Sequence, residues 1–285
     1  MTRPIRGSTA AGPRGSARPT VAVWKFASCD GCQLMILDCE DELLDLAAAL
    51  DIRMFLEAGP AELLDRYDLS FVEGSITTDA DVERIREVRD RSDLLVAIGA
   101  CATAGGVQAL RDAADLDELR SAVYPRPDVI DARSTSDPVS RHVTVDLELH
   151  GCPISKEQFL GTVTALLAGR RPPVAGHSVC LECKRAGTVC LPVTAGVACV
   201  GPITRSGCGA LCPGIGRGCF GCFGPSESAD PAALRAGLAR VGIAESELAA
   251  LDRSLRMFTV GAFGRLAETP GGGDEDDGDD GGPRA

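Results

Sequence analysis

The sequence predicts an α/β protein: a doubly wound parallel sheet followed by a cysteine-rich, largely irregular domain. Three observations lead there. Between Thr20 and Ala168, short β-rich runs alternate with helical patterns four times, the rhythm of βα units feeding a parallel sheet. After Pro172-Pro173 the composition turns to Gly, Cys and Pro with little periodicity, which marks a second domain. The 13 cysteines divide along the same line, with three separated sites in the first half and eight cysteines within the 43 residues from Cys180 to Cys222.

The elements follow in order. Thr20 to Trp24 reads as a strand leading to the Cys29 loop, and Gln33 to Leu50 as a helix. Leu69 to Glu73 leads to a turn and a charged helix from Asp79 to Arg91. Asp93 to Gly99 runs into a loop holding Cys101, with a helix from about Gly105. His142 to Leu149 runs into Cys152 and the helix Lys156 to Ala168. Each of Cys29-Asp30-Gly31-Cys32, Cys101 and Cys152 therefore follows the carboxyl end of a strand, where open α/β sheets hold their ligands. Together they make four thiols, the ligand number of a cubane iron-sulfur cluster. Gly31, Gly99, Gly105, Gly106 and Gly151 let backbone approach a bulky group and offer it N–H donors. Apolar or neutral Gly31, Leu34 and Ala102 near this edge suit burial under a partner. Cys39, well inside the first helix, reads as a buried small hydrophobe and stays outside the ligand set.

The second domain holds Cys180, Cys183, Cys190, Cys199, Cys208, Cys212, Cys219 and Cys222. Eight thiols make two sets of four, and chain order assigns the first four to one and the last four to the other. Four thiolates suit zinc as well as an iron-sulfur cluster, so on this segment alone both readings stand. An odd cysteine count excludes a fully paired disulfide framework. No apolar export segment is visible among the arginines of residues 1 to 20, so a cytoplasmic location with reduced thiols is expected.

The expected organisation is a disordered extension over 1–19, a sheet domain over 20–172, a cysteine-rich domain over 173–268 and a disordered acidic tail over 269–285. Net charge is -12, and half comes from Asp274, Glu275, Asp276, Asp277, Asp279 and Asp280. The remaining acidity argues against a nucleic-acid partner. No apolar run reaches the ~18 residues of a membrane span, so no direct membrane insertion is expected. Gly214-Ile-Gly216-Arg-Gly218 lacks the preceding strand of a dinucleotide fingerprint, and no phosphate loop or hydrolase motif appears.

Four motifs in order, Cys29-Asp30-Gly31-Cys32-Gln33, Glu73-Gly74-Ser75, Gly99-Ala100-Cys101 and Gly151-Cys152-Pro153, resemble the small subunit of nickel-iron hydrogenases. That family shares ancestry with the 20-kDa subunit of respiratory NADH dehydrogenases. Leu34 to Leu44 and Cys219-Phe-Gly-Cys222-Phe-Gly-Pro225 are most similar to the delta subunit of cytoplasmic, NADP-linked bidirectional hydrogenases, the sulfhydrogenases. The resemblance covers about residues 20 to 265.

It implies a flavodoxin-like first domain holding a proximal 4Fe-4S cluster through Cys29, Cys32, Cys101 and Cys152, and a second domain with a medial and a distal cluster. Family members with a histidine ligand place it where His177 stands, three before Cys180. Here Cys183 supplies a fourth thiolate, and Cys212 adds one where the three-cysteine form of the medial site has none. Both departures favour two further 4Fe-4S clusters. The resemblance also implies a nickel-iron centre on a separate large subunit, and flavin/NAD(P)-binding and ferredoxin-like partner subunits. The implied role is an electron wire. Alternatives are a deazaflavin- or heterodisulfide-reductase-linked hydrogenase subunit, a quinone oxidoreductase subunit, whose family has two adjacent cysteines at the first site, and, in another class, a zinc-stabilised interaction protein.

Overall fold

A computed structural model of the chain describes residues 18–59, 61–172 and 176–259. Nearly all of the extension expected over 1–19, and the whole tail expected over 269–285, lie outside the described residues. The N-terminal part carries a five-stranded sheet of β1 (Thr20–Lys25), β2 (Asp51–Phe55), β3 (Tyr67–Glu73), β4 (Ser92–Ile98) and β5 (Leu147–Leu149). The spatial order is β2-β1-β3-β4-β5 and every pairing is parallel. This is the doubly wound, flavodoxin-like order, whose direction of winding reverses between β1 and β3.

Period-two alternation along the strands supplies two apolar faces, as a buried parallel sheet requires. On one face Val21, Val23, Leu69, Phe71, Val96 and Ile98 pack against Ile36 of α1 (Gly31–Leu37), Leu46 of α2 (Asp41–Ala49) and Phe159 and Val163 of α6 (Lys156–Leu167). On the other, Ala22, Trp24, Val72, Leu95 and Ala97 meet Ile85 and Val88 of α3 (Asp79–Asp90) and Ala102 of α4 (Gly99–Ala104). A capping box starts α3: Thr78 Oγ1 accepts from Asp81 N–H at 3.1 Å, and Asp81 accepts from Thr78 N–H at 3.1 Å. Between α4 and β5 the chain carries one further α-helix, α5 (Leu116–Val123).

Four expectations need correction. The helix expected over Gln33 to Leu50 is two helices, broken at Glu40 (φ 47). Asp38, Asp41 and Glu42 would repel one another along a continuous helix, whereas the break sets Asp41 and Glu42 in the first turn of α2, where the helix dipole favours them. Cys39 thus sits at the break rather than inside a helix, and it is fully buried. Cys101 stands in the first turn of α4, which begins directly on β4, and Gly105 in the left-handed conformation (φ 90) ends that helix. The strand expected from His142 shrinks to Leu147–Leu149. Val139–Arg141 wind into a 3₁₀ turn, and the Asp146 carboxylate takes the Leu95 N–H at 2.8 Å in place of a ladder bond. Strand β2 has only Ile52, Met54 and Phe55 as apolar signal, too weak a pattern for the sequence to predict it.

The cysteine-rich segment contains only short helices: α7 (Val179–Arg185), α8 (Leu191–Ala195) and α9 (Leu211–Gly214). It is closed by α10 (Pro231–Arg240) and α11 (Glu245–Leu255), whose Leu234, Leu238, Leu248, Leu251 and Leu255 form one core with Val179, Cys199, Val200, Ile203, Ala210 and Cys219. The two parts meet where the Phe223 ring fills the space beside Gly151, so closely that a Cβ there would stand 3.0 Å from it.

Candidate metal centres

The carboxyl ends of β1, β4 and β5 bring Cys29, Cys32, Cys101 and Cys152 to one edge of the sheet, beside the β1/β3 reversal. Their thiols lie within electrostatic reach of one another. Burial pushes Cys32 far above the usual thiol range, only partly offset by the Ile154 backbone N–H donated to it, and Cys101 and Cys152 add to the rise. Burial pushes Cys101 up to about 11, with Cys152 and Cys29 contributing. Cys152 is raised by burial and then by Cys29. Glycine lines the recess: a Cβ on Gly99 would stand 2.3 Å from Cys32 Sγ, one on Gly106 2.4 Å from Cys101 Sγ, and one on Gly31 3.3 Å from Cys29 Sγ. Gly105 and Gly151 serve otherwise, against the Ser136 carbonyl and against Pro153 and Phe223. Of the apolar residues expected at this edge, Leu34 is 52% exposed, while Ala102 belongs to the sheet core.

Behind Cys32 lies a buried carboxylate. Glu73 ends β3 and accepts from Cys32 N–H at 3.1 Å, Gln33 Nε2 at 2.6 Å and Ser28 Oγ at 3.2 Å. Burial raises its pKa, and those three donors pull against the rise. Gln108 donates to the Ala27 carbonyl and accepts from Cys101 Sγ at 3.6 Å. Neither Glu73 nor Gln108 stood in the sequence-derived ligand set. The signal for Glu73 was legible: a charged residue closing the apolar run Leu69-Ser-Phe-Val-Glu73.

In the second domain, burial pushes Cys180 up to about 11, with Cys199, Cys183 and Cys190 acting on it. Cys183 is raised by burial and then by Cys199, Cys208, Glu182 and Cys190. Cys199 Sγ accepts the Cys219 N–H at 3.2 Å. Burial pushes Cys219 up to about 12, against the Gly221 N–H and Thr204 hydroxyl that bond it, with Cys199 and Cys222 raising it further. Cys222, likewise pushed by burial up to about 12, feels Cys208, Cys152 and Cys212, with the Cys152 backbone amide pulling against the rise. Cys183 thus feels thiols from both halves of the segment, Cys199 and Cys190 on one side and Cys208 on the other, and Cys219 likewise feels both Cys199 and Cys222. Among the described residues, no three His, Cys, Asp or Glu side chains gather around a single metal-ion-sized point. His177 is exposed, its carbonyl accepting Ser206 N–H at 2.7 Å. Cys39 Sγ donates to the Met35 carbonyl at 3.6 Å, apart from both groups.

Residues 29–166 match the family model described as NADH ubiquinone oxidoreductase, 20 Kd subunit. The chain is 33% identical over 206 residues to the delta subunit of sulfhydrogenase 2 of Pyrococcus furiosus, covering 72% of this chain and 86% of that one. It is 31% identical over 271 residues to a vhu subunit of the F420-non-reducing hydrogenase of Methanocaldococcus jannaschii, covering 84% and 94%. The chain belongs to the nickel-iron hydrogenase small-subunit family. A chain of a solved NAD+-reducing [NiFe]-hydrogenase in the H2-reduced state aligns with a TM-score of 0.52 at 27% identity, covering 55% of this small subunit and 95% of that chain.

The protein is therefore an electron-transfer subunit of a hydrogenase, an oxidoreductase component that pairs with a large subunit in a complex holding a nickel-iron centre. Its family works through iron-sulfur clusters. The donor chemistry of this small subunit fits them, with thiols set in glycine-lined recesses where an added Cβ would collide with sulfur. Among the described residues no helix is long and apolar enough to cross a membrane.

Proposed function

We propose that this small subunit relays electrons between the large subunit's nickel-iron site and a flavin/NAD(P) module through three 4Fe-4S clusters. Cys29, Cys32, Cys101 and Cys152 hold the proximal cluster. The medial and distal clusters divide Cys180, Cys183, Cys190, Cys199, Cys208, Cys212, Cys219 and Cys222. When bound, the clusters supply one-electron redox chemistry at potentials set by ligation, hydrogen bonds to sulfur and burial.

The observation that carries this reading is the junction of the two parts, where Phe223 packs so closely beside Gly151 that a Cβ there would stand 3.0 Å from its ring, which sets Cys222 and Cys152, their chain neighbours, at the same junction. Thiols of the sheet edge and of the second domain thereby form one continuous series, running on through Cys219 to Cys199. Exposed Leu34, Val107 and Leu110, with exposed Cys29, mark the face for the large subunit. The acceptor module is flavin/NAD(P)-binding and ferredoxin-like, and the complex works in the cytoplasm. A second reading replaces that module by one serving an acceptor other than NAD(P), favoured by the relative named as an F420-non-reducing hydrogenase subunit, 94% of which this chain covers.

Native purification tests both. The expected complex contains a large subunit, a flavoprotein and about twelve irons per small subunit, the sum of three four-iron clusters. Eight irons, or a three-iron resonance in undamaged protein, would break the twelve-thiolate assignment, and a colourless zinc protein would end it.

A further inference from the structure

Between His177 and Ser226 the chain has a single acidic residue, Glu182. It stands on α7 between Cys180 and Cys183, yet both carboxylate oxygens reach across to another segment. Oε1 accepts the Gly207 N–H at 2.8 Å, Oε2 accepts the Ala210 N–H at 3.2 Å, and Oε2 lies 4.0 Å from Cys208 Sγ. The gripped segment does not hold its own shape. Gly207 (φ 136), Gly209 (φ 66) and Ala210 (φ 56) all have positive φ, and Ala210 carries a Cβ into the left-handed region. Such a conformation persists only where the surroundings over-determine it. Here they do so from two sides: the Ala210 methyl is buried in the second core, and its N–H is bound by Glu182. Backbone N–H groups converging on an anion form a nest, with the anion supplied from within the chain.

We infer that Glu182 is a positioning residue, a carboxylate strap that fixes the segment carrying Cys208, and Cys212 just beyond it, onto the helix carrying Cys180 and Cys183. The strap ties the two C-terminal thiol groups into one unit of fixed separation. It also keeps a negative charge beside Cys208, which disfavours an added electron on whatever cluster that thiol holds. The charge effect rests on the ligand assignment proposed above, whereas the strap stands on the hydrogen bonds alone. A carboxylate is needed because two N–H donors are satisfied at once. A glutamine in its place offers one oxygen and turns an NH2 donor toward the other N–H.

The test uses the intact hydrogenase complex with Glu182→Gln and Glu182→Asp. Hydrogen exchange of the amides in 207–212 is expected to accelerate about tenfold or more in the glutamine variant, the effect of losing a charge-assisted bond to a buried donor. Amides of β3 and β4 should keep wild-type rates. Electron paramagnetic resonance titration is expected to place one C-terminal cluster at a higher reduction potential in the glutamine variant, with the proximal cluster unmoved and the aspartate variant nearer wild type. Wild-type exchange over 207–212 in the glutamine variant overturns the strap. Accelerated exchange with no C-terminal potential moved overturns the charge effect and the assignment of Cys208 as a ligand, and leaves the strap standing. Should the glutamine variant fail to assemble, exchange in the aspartate variant decides: faster exchange over 207–212 is expected, and wild-type rates overturn the proposal.

Discussion

In the first domain, thiols are delivered by a scaffold that exists without them. Cys29, Cys101 and Cys152 stand on junctions at the edge of a five-stranded sheet, and of the four edge thiols Cys32 alone borders its core. In the second domain, Cys199 and Cys219 are core members, packed with Val179, Val200 and the leucines of α10 and α11, and the segment between Cys180 and Cys222 has only short helices. The difference is one of dependence. Metal binding to a preformed edge adds little to folding, whereas binding to thiols that are themselves the core contributes folding free energy directly.

Removing the metal is the strongest way to break this comparison. Iron-free protein should keep slow hydrogen exchange in β1, β3 and β4 and exchange markedly faster, though still protected, across 176–230, a contrast readable peptide by peptide. Loading should also release protons, because folded thiols with pKa values near 11 and 12 are protonated at neutral pH. The metal-free fold has a matching pH dependence. Folded thiols resist ionisation while unfolded ones ionise near pH ~8.5, so the unfolded state binds fewer protons above that pH and stability falls as pH rises. Urea melts of the iron-free protein that improve between pH 8 and pH 10 would contradict this.

Second in size is the effect of cutting the series at either end. With Cys219→Ser, hydrogen-deuterium exchange activity should survive while hydrogen-dependent reduction of the physiological acceptor falls by orders of magnitude. Cys29→Ser should impair both, since it strikes the edge beside the large subunit. Native acceptor reduction in a Cys219→Ser complex that spectroscopy finds lacking a cluster would remove the proposed path through the second domain.

How much of this was legible in the sequence follows the same divide. The sheet edge could be read because strand periodicity places Cys29, Cys101 and Cys152 at the carboxyl ends of β1, β4 and β5, and parallel topology forces such ends together. What the period hid was local: the break at Glu40 comes from charge repulsion rather than hydrophobic pattern, and β2 is too weakly apolar to announce itself. The second domain has little period. Its thiol grouping depends on turns at Gly207, Gly209 and Ala210 and on the Glu182 hydrogen bonds, none of which chain order encodes, so Cys219 stands between groups that counting kept apart. The helices α10 and α11 supply five leucines of that core, a helical pattern that the neighbouring cysteines overshadow in the sequence.

A third prediction sharpens the comparison inside the first domain. Glu73 is the one buried charge behind the Cys29–Cys32 loop, and it accepts from Cys32 N–H, Gln33 and Ser28. Glu73→Gln leaves one of those donors facing an NH2, at a loss of about 1–3 kcal/mol. Iron content at the proximal site should drop, and amide exchange at Cys32 should quicken, while the C-terminal clusters keep their resonances. Loss of the C-terminal signals instead would mean that the second domain is not independent of this edge.

The smallest expected effect concerns a buried carboxylate whose partners Arg141, His142 and Thr135 are not thiols. The Asp137 side chain is 4% exposed, and it binds Arg141 and, at 3.1 Å, His142 Nε2. Burial alone would raise its pKa, but the Thr135 hydrogen bond and the Arg141 charge, with the Arg141 and His142 hydrogen bonds, outweigh it and leave the carboxyl below its usual range. Its backbone joins Ile76 by two hydrogen bonds, Ile76 N–H to Asp137 O at 2.9 Å and Asp137 N–H to Ile76 O at 3.0 Å, so the group fastens the chain beyond β3 to the approach to β5. Because the folded pKa is depressed, the unfolded state binds more protons, and the stabilisation is complete above the unfolded value of ~3.9 and lost as pH falls through the folded one. Asp137→Asn should therefore destabilise the iron-free first domain by about 1–2 kcal/mol at neutral pH, with the gap from wild type closing in acid. The opposite signs separate the domains: acid weakens the sheet through Asp137, and alkali weakens the cysteine core through its thiols. Melts following Trp24 fluorescence for the first domain and amide exchange over 176–259 for the second distinguish them, and an Asn variant whose deficit grows in acid would overturn the assignment of Asp137 as a stabilising carboxylate.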